Sequence, residues 1–160
     1  MDNFVIFVIA RALHVVGVVW WIGGVSFVTI VLMPGLSKIA DEKVRLQLFE
    51  QLEGRFSFQA KIATTITALS GFYMVEFMNA WERYLYLQFW WLHLMTFVWF
   101  LFAIVLFVLE PLFLHKWFRE QAEKDTKKTF IVMKRLHYLL LSVSVLAVFC
   151  AVAGAHGLFY

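Results

Sequence analysis

The stretch FVIFVIARALHVVGVVWWIGGVSFVTIVLM, residues 4–33, decides the fold because Arg11 is its one permanently charged side chain. A helix that crosses the ~30 Å hydrocarbon core of a bilayer needs about 20 mainly apolar residues. Pro34-Gly35 ends the stretch, since proline cannot continue a helical hydrogen-bond ladder. No basic region or small-residue cleavage site precedes or follows it, so we expect a membrane span rather than a removable signal.

The composition extends this interpretation to the whole chain. Of 160 residues, 62% are hydrophobic and only 16% are charged, whereas a soluble domain carries about a quarter charged residues. Three further apolar stretches follow at about 56–78, 87–118 and 130–158. The sequence therefore predicts an all-α integral membrane protein, a four-helix up-and-down bundle that forms a single transmembrane domain over residues 1–160.

Polar residues inside and between the spans also have helical spacing. The segment 41–53 carries Val44, Leu48 and Leu52 among charges, which predicts an amphipathic helix at the cytoplasmic surface. In the second span, polar and small residues share one stripe that we expect to face the bundle: Lys61, Thr64, Thr67 and Gly71. Glu110-Pro111 predicts a kink in the third span, and we expect Glu76 and Glu110 at the membrane interfaces.

The positions of the basic residues predict the orientation. Of 14 Lys and Arg residues, 12 lie at or beside the first and third loops, and only Arg11 and Arg83 lie on the other side. Positive residues stay in the cytoplasm, so we expect an N-out/C-out protein of the bacterial inner membrane with both termini periplasmic. Because the cations border apolar spans, they favour contact with the lipid bilayer over nucleic acid, which we do not expect as a partner.

The histidines are the candidate functional residues, because an ionisable side chain at membrane depth is costly and is a functional candidate by default. His14 lies about ten residues into the first span, and His93 lies at a similar depth in the third. The first and third helices run in the same direction and are often diagonal partners. Two neutral imidazoles at one level predict the axial ligands of a haem b.

Residues near His14 fit a haem as well. Arg11 lies one turn outward on the same face and is a candidate partner for a propionate. Gly17, one turn inward, leaves room for the edge of a macrocycle, and Gly71 lies at comparable depth on the second helix. These three residues complete the predicted cofactor-binding set.

The other histidines leave alternatives open. His137 is a candidate for an interhelical hydrogen bond, for a quinone headgroup or, with His115, for a second site, so that the number of haems is one or two. His156 is a weaker candidate ligand. Copper and zinc sites gather three or four ligands, and a copper site at the outer side has these candidates: His14, His93, His156, Met74, Met78 and Met95. The lone Cys150 excludes an internal disulfide and a CxxCH haem motif.

Two segments resemble a known group of membrane proteins. ALHVVGVVWWIGGVSF, residues 12–27, is similar to the first-helix signature of CopD-domain proteins and HemJ-type protoporphyrinogen oxidases, and WLHLMTFVWFLFAIV, residues 91–105, is similar to the third-helix segment of the HemJ type. The resemblance implies a membrane-embedded b-type haem held by His14 and His93. The HemJ type carries a lysine where this chain has Met95, and the chain lacks the methionine- or histidine-rich export segment of CopD relatives.

These observations predict a haem b membrane cytochrome that transfers electrons, with quinone or another redox partner. A HemJ-like oxidase, which would make the chain an enzyme, a CopD-like copper transport or handling protein, and a cofactor-free subunit of a larger complex are the alternatives. Small residues that can pack within the bundle or between protomers leave a homo-oligomer open as well: Gly23, Gly24, Ala147, Ala151 and Gly154.

Overall fold

The computed structural model describes residues 2–159, apart from the side chains of His115, Arg119 and Glu123, and no strand occurs in that part of the chain. The elements, in chain order, are α1 (Asn3–Phe27), a first π-helical segment (Val28–Leu32), α2 (Met33–Leu36), α3 (Glu42–Phe77), two 3₁₀ turns (Trp81–Leu85 and Leu87–Phe89), α4 (Trp90–Ile104), a second π-helical segment (Val105–Leu114) and α5 (His115–Ala155). The predicted all-helical class is confirmed.

Three continuous helical stretches are long and apolar enough to cross a membrane: Asn3–Leu36, Leu87–Leu114 and Lys124–Ala155. They correspond to the first, third and fourth predicted spans, and many of their large apolar side chains are exposed. Such exposed apolar surfaces are suited to contact with lipid. The chain therefore has the helices of a multi-pass membrane protein. The predicted second span, 56–78, lies in α3 and is not among these three stretches, because polar side chains interrupt it.

Helix α3 joins two segments that the sequence separates. It runs unbroken for 36 residues, through both the predicted surface helix 41–53 and the predicted span 56–78. The side chain of Asp41 caps its start and accepts hydrogen bonds from two backbone N–H groups of the first turn at 2.9 and 3.1 Å. Gly54 does not end the helix, since one glycine costs only about 1 kcal/mol relative to alanine.

The segment REQAEKDTKK, residues 119–128, differs from the predicted loop between the third and fourth spans. It is helical except at Asp125, where extended backbone (φ −157°, ψ 89°) bends α5. The segment lacks Gly and Pro and is rich in good helix formers, which explains its helical backbone. Glu110-Pro111 lies in the second π-helical segment, where proline removes one hydrogen bond of the ladder. The predicted kink at this site stays a prediction.

The long helices pack in a cyclic order. Helix α1 packs mainly on α3 and α4 packs on α5, while contacts of α1 with α5 and of α3 with α4 join the two pairs. One apolar core contains Trp21, Val25, Ala63, Val98, Phe102, Leu141 and Ala147. A second core, centred on Phe49, Phe118 and Phe130, lies toward the end of the molecule that carries α2 and the bend of α5. In this order α1 and α4, which carry His14 and His93, lie across the core from each other, where the Trp21 ring stands edge-on to the Phe102 ring at 4.8 Å between centroids.

Candidate functional site

The side chain of His14 lies half-buried between α1 and α3. Its Nδ1 atom is 2.9 Å from the backbone oxygen of Thr67 and 3.3 Å from Oγ of Ser70. Because a carbonyl oxygen only accepts, Nδ1 is the nitrogen that carries the proton in this hydrogen bond. Nε2 makes no hydrogen bond within the described part of the chain and keeps its lone pair. Metal-binding histidines are held in this way, with one nitrogen fixed by a backbone carbonyl.

The predicted glycines lie at this same interface. A Cβ on Gly71 would lie 3.0 Å from Cε1 of His14, and a Cβ on Gly17 would lie 2.6 Å from Oγ1 of Thr67. The space at Gly71 is therefore taken by the imidazole ring, and the space at Gly17 by the close approach of α3. Both residues position His14, whereas their predicted contact with a macrocycle stays a prediction.

His93 is exposed and held by the turn that precedes its helix. Its Nε2 atom lies 2.9 Å from the backbone oxygen of Tyr84, and its ring stands edge-on to the Tyr84 ring at 5.4 Å. The Tyr84 hydroxyl is in turn 2.9 Å from Oγ1 of Thr96. Because the Tyr84 carbonyl oxygen only accepts, Nε2 is the nitrogen of His93 that carries the proton. His14 and His93 thus hydrogen-bond to different elements, α3 for the first and the 81–85 turn for the second.

The remaining predicted residues are placed separately. Arg11 is exposed and has no salt bridge among the residues described. His137 and His156 each direct Nδ1 to a carbonyl of their own helix, that of Met133 at 2.9 Å and that of Val152 at 2.8 Å. The side chain of His115 lies outside the described residues, so its pairing with His137 stays a prediction.

His14 has a ring nitrogen available to a ligand at a helix interface, whereas His93 is exposed and has its Nε2 engaged by a hydrogen bond to Tyr84. Two surface pockets are each lined by other residues. Among the described residues, no three His, Cys, Asp or Glu side chains come together as a metal site.

Two buried indole N–H groups were not singled out by the sequence. Nε1 of Trp21 on α1 and Nε1 of Trp91 on α4 are inaccessible and have no acceptor within the described part of the chain. The Trp91 ring packs directly on Gly154, where a Cβ would lie 2.4 Å from it. Buried hydrogen-bond donors are nearly always paired. A bound group with acceptor oxygens would suit these two N–H groups.

Glu110 is buried within the protein: it is only 5% exposed and faces α3. There the hydroxyl of Ser57 donates a hydrogen bond to Oε2, and Nζ of Lys61 lies 3.3 Å from Oε1. The predicted place of Glu110 at a membrane interface stays a prediction. Glu76, by contrast, is exposed at the end of α3 and accepts a hydrogen bond from Nε1 of Trp81 at 2.7 Å.

The predicted inward stripe of α3 is confirmed by buried Thr64 and Thr67.

Comparison of the chain with protein-family models, with curated proteins and with solved structures gave no match.

Proposed function

We propose that α3 is a fourth membrane crossing, so that the chain forms a four-helix up-and-down bundle. The support is an inverted distribution of polarity along α3. Phe58, Leu69 and Phe72 are 62–69% exposed, whereas Thr64 and Thr67 are buried. A helix on the surface of a soluble protein has the opposite arrangement, with its apolar face inside. The polar residues that lower the mean hydropathy of α3 therefore lie on its buried face. Its exposed face is apolar and suits lipid.

The proposed orientation has both ends of the chain in the periplasm of a bacterial inner membrane. It is supported by the basic residues, which border the α2–α3 connection and the bend of α5. The cytoplasmic side of a membrane protein carries the excess of Lys and Arg. The α2–α3 connection and the bend of α5 then lie in the cytoplasm.

We propose that the protein binds haem b through His14 and works as an electron-transfer cytochrome of the membrane. The observation that carries the proposal is the hydrogen bond from Nδ1 of His14 to the Thr67 carbonyl, which leaves Nε2 to ligate iron. Bound haem supplies a one-electron redox centre. The chain's own part is to fix the imidazole, through Thr67 and Ser70, and to surround it with apolar helices.

His93 is the proposed second ligand, and Arg11 is the proposed partner of a propionate. Ligation by His93 requires its ring to give up the hydrogen bond to Tyr84. That exchange costs the one hydrogen bond to the Tyr84 carbonyl, which is worth about 1 kcal/mol. Quinone is the proposed redox partner.

The test is a reduced-minus-oxidised absorption spectrum of detergent-purified protein, with haem, iron and copper measured on the same sample. We expect a b-type α band and close to one haem per chain at His14. Copper without haem would instead support a CopD-like protein, and a colourless, metal-free sample would support a cofactor-free subunit. Growth of a strain that lacks its own protoporphyrinogen oxidase, restored by this chain, would identify a HemJ-like enzyme.

A further inference from the structure

A pocket of about 250 Å³ opens where the α2–α3 connection meets α5, at the end of the molecule that we place in the cytoplasm. Its lining combines three cationic side chains, one carboxylate, one hydroxyl and an apolar wall. The lining residues are Met33, Ser37, Glu42, Arg45, Lys127, Phe130, Ile131 and Lys134. This pocket is separate from His14 and from the other residues of the proposed haem site.

Arg45 is the unusual member of the pocket. Its side chain is only 12% exposed, and its guanidinium lies 5.1 Å from the centre of the Phe130 ring. Its Nη2 atom is 3.5 Å from Oε1 of Glu42, but Nε is buried without an acceptor among the described residues. Burying a guanidinium with an unpaired N–H is costly, and an ion pair to an exposed Glu42 offsets little of that cost. The local structure thus leaves Arg45 with unused capacity to bind an anion.

Two lysines of α5 add to the positive charge beside Arg45. Lys127 and Lys134 are exposed, and their spacing of seven residues places both on one face of the helix. The apolar wall beside them comes from buried Met33 and Phe130 and from exposed Ile131. A positive rim next to an apolar wall matches a molecule that has an anionic head and a hydrocarbon body.

We propose that this pocket binds the phosphate of an anionic phospholipid headgroup from the cytoplasmic leaflet. The phosphate oxygens accept hydrogen bonds from Arg45 and from the two lysines, while the glycerol end of the acyl chains lies against Phe130 and Ile131. Glu42 gives up its ion pair with Arg45 as the phosphate takes its place. Basic pockets between membrane helices on this side of the bilayer bind such headgroups. The inference depends on the proposed membrane placement and is independent of haem.

The experiment uses full-length protein in a non-ionic detergent, titrated with short-chain phosphatidylglycerol or phosphatidylcholine and read out by native mass spectrometry. Lys127→Gln/Lys134→Gln is the test variant, because both side chains are exposed and the fold tolerates their loss. Lys128→Gln is the matched control, since Lys128 is equally exposed and does not line the pocket. Each basic residue is worth on the order of fivefold in binding, so we expect the double variant to lose at least tenfold in phosphatidylglycerol affinity.

Three outcomes would overturn the proposal: equal retention of the two lipids by the natural chain, a loss in Lys128→Gln as large as in the double variant, and binding of inorganic phosphate as tight as that of the lipid. The last would assign the pocket to a soluble phosphate. Equal melting temperatures of the double variant and the natural chain in detergent show that the variant is folded, whether or not haem is bound, so failure of this site is separate from failure of the haem proposal.

Discussion

The Nδ1 atom of His14 on α1 lies 2.9 Å from the backbone oxygen of Thr67 on α3. This bond joins the two helices that pack most extensively on each other and sets which ring nitrogen is left free. Gly17 and Gly71 permit it, because a side chain at either position would meet Thr67 or the imidazole ring. The surroundings of His14 are thus a property of the α1–α3 interface, whereas His93 lies on α4.

Gly17→Ala should destabilise the protein, whereas Gly23→Ala should not. A Cβ at Gly17 would lie 2.6 Å from Oγ1 of Thr67 and 3.3 Å from the backbone oxygen of Ala63, while a Cβ at Gly23 meets nothing within 4 Å. Overpacking of this kind costs about 1–3 kcal/mol. Thermal unfolding in detergent measures the difference. Equal melting temperatures for the two variants would contradict the close approach of α1 and α3.

Glu110→Ala should lower the free energy of unfolding by about 3 kcal/mol, because removal of one partner leaves Lys61 and Ser57 facing a buried gap. Glu110→Gln should cost less, since the amide oxygen still accepts from Ser57. Glu76→Gln is the control, because Glu76 is exposed. The same thermal assay applies, and a Glu110→Ala protein as stable as the control would contradict the buried contacts of Glu110 with Ser57 and Lys61.

The proposed crossing by α3 predicts opposite accessibility at its two ends. In a Cys150→Ala background, Glu82→Cys should react with a membrane-impermeant maleimide in intact cells, whereas Ser37→Cys should react only after the membrane is permeabilised. Both positions are exposed in the structure, so burial does not explain a difference. Labelling of both from the same side would remove α3 from the membrane and leave three crossings.

His93→Ala tests whether His93 is a haem ligand or has only a structural role. As the structure stands, the variant loses one exposed hydrogen bond to Tyr84 and should change stability by less than about 1 kcal/mol. If His93 ligates haem, the α band should shift or vanish while apoprotein stability barely changes. The pair of measurements, melting of apoprotein and spectrum of haem-loaded protein, distinguishes the two roles. An unaltered spectrum would exclude His93 as the second ligand.

The sequence predicted what depends on hydropathy and helical spacing. Residues 4–33 identified the first span, and the stripe that contains Thr64 and Thr67 identified the inner face of α3. It could not predict that Gly54 leaves α3 unbroken, because packing along the helix outweighs the small cost of one glycine. Likewise, the burial of Glu110 depends on the register shift of a π-helical segment, which no spacing rule for α-helices gives.

The candidate site was predicted only in part for the same reason. Depth along a helix follows from counting residues, so the positions of His14 and His93 were accessible to the sequence. The direction of each ring depends on its rotamer and on the backbone that it hydrogen-bonds. That backbone belongs to α3 for His14 and to the 81–85 turn for His93. The unpaired Nε of Arg45 and the free indoles of Trp21 and Trp91 likewise depend on tertiary packing.

The most direct test of the central claim compares His14→Ala with His137→Ala. Both residues are half-buried histidines whose Nδ1 atoms bond to a backbone carbonyl, across the α1–α3 interface for His14 and within α5 for His137. Melting temperatures of both apoproteins therefore accompany the spectra. In reduced-minus-oxidised spectra of the purified proteins, we predict that the b-type α band is lost in His14→Ala and retained in His137→Ala. A band of full height in His14→Ala would contradict the assignment of His14 as the haem ligand.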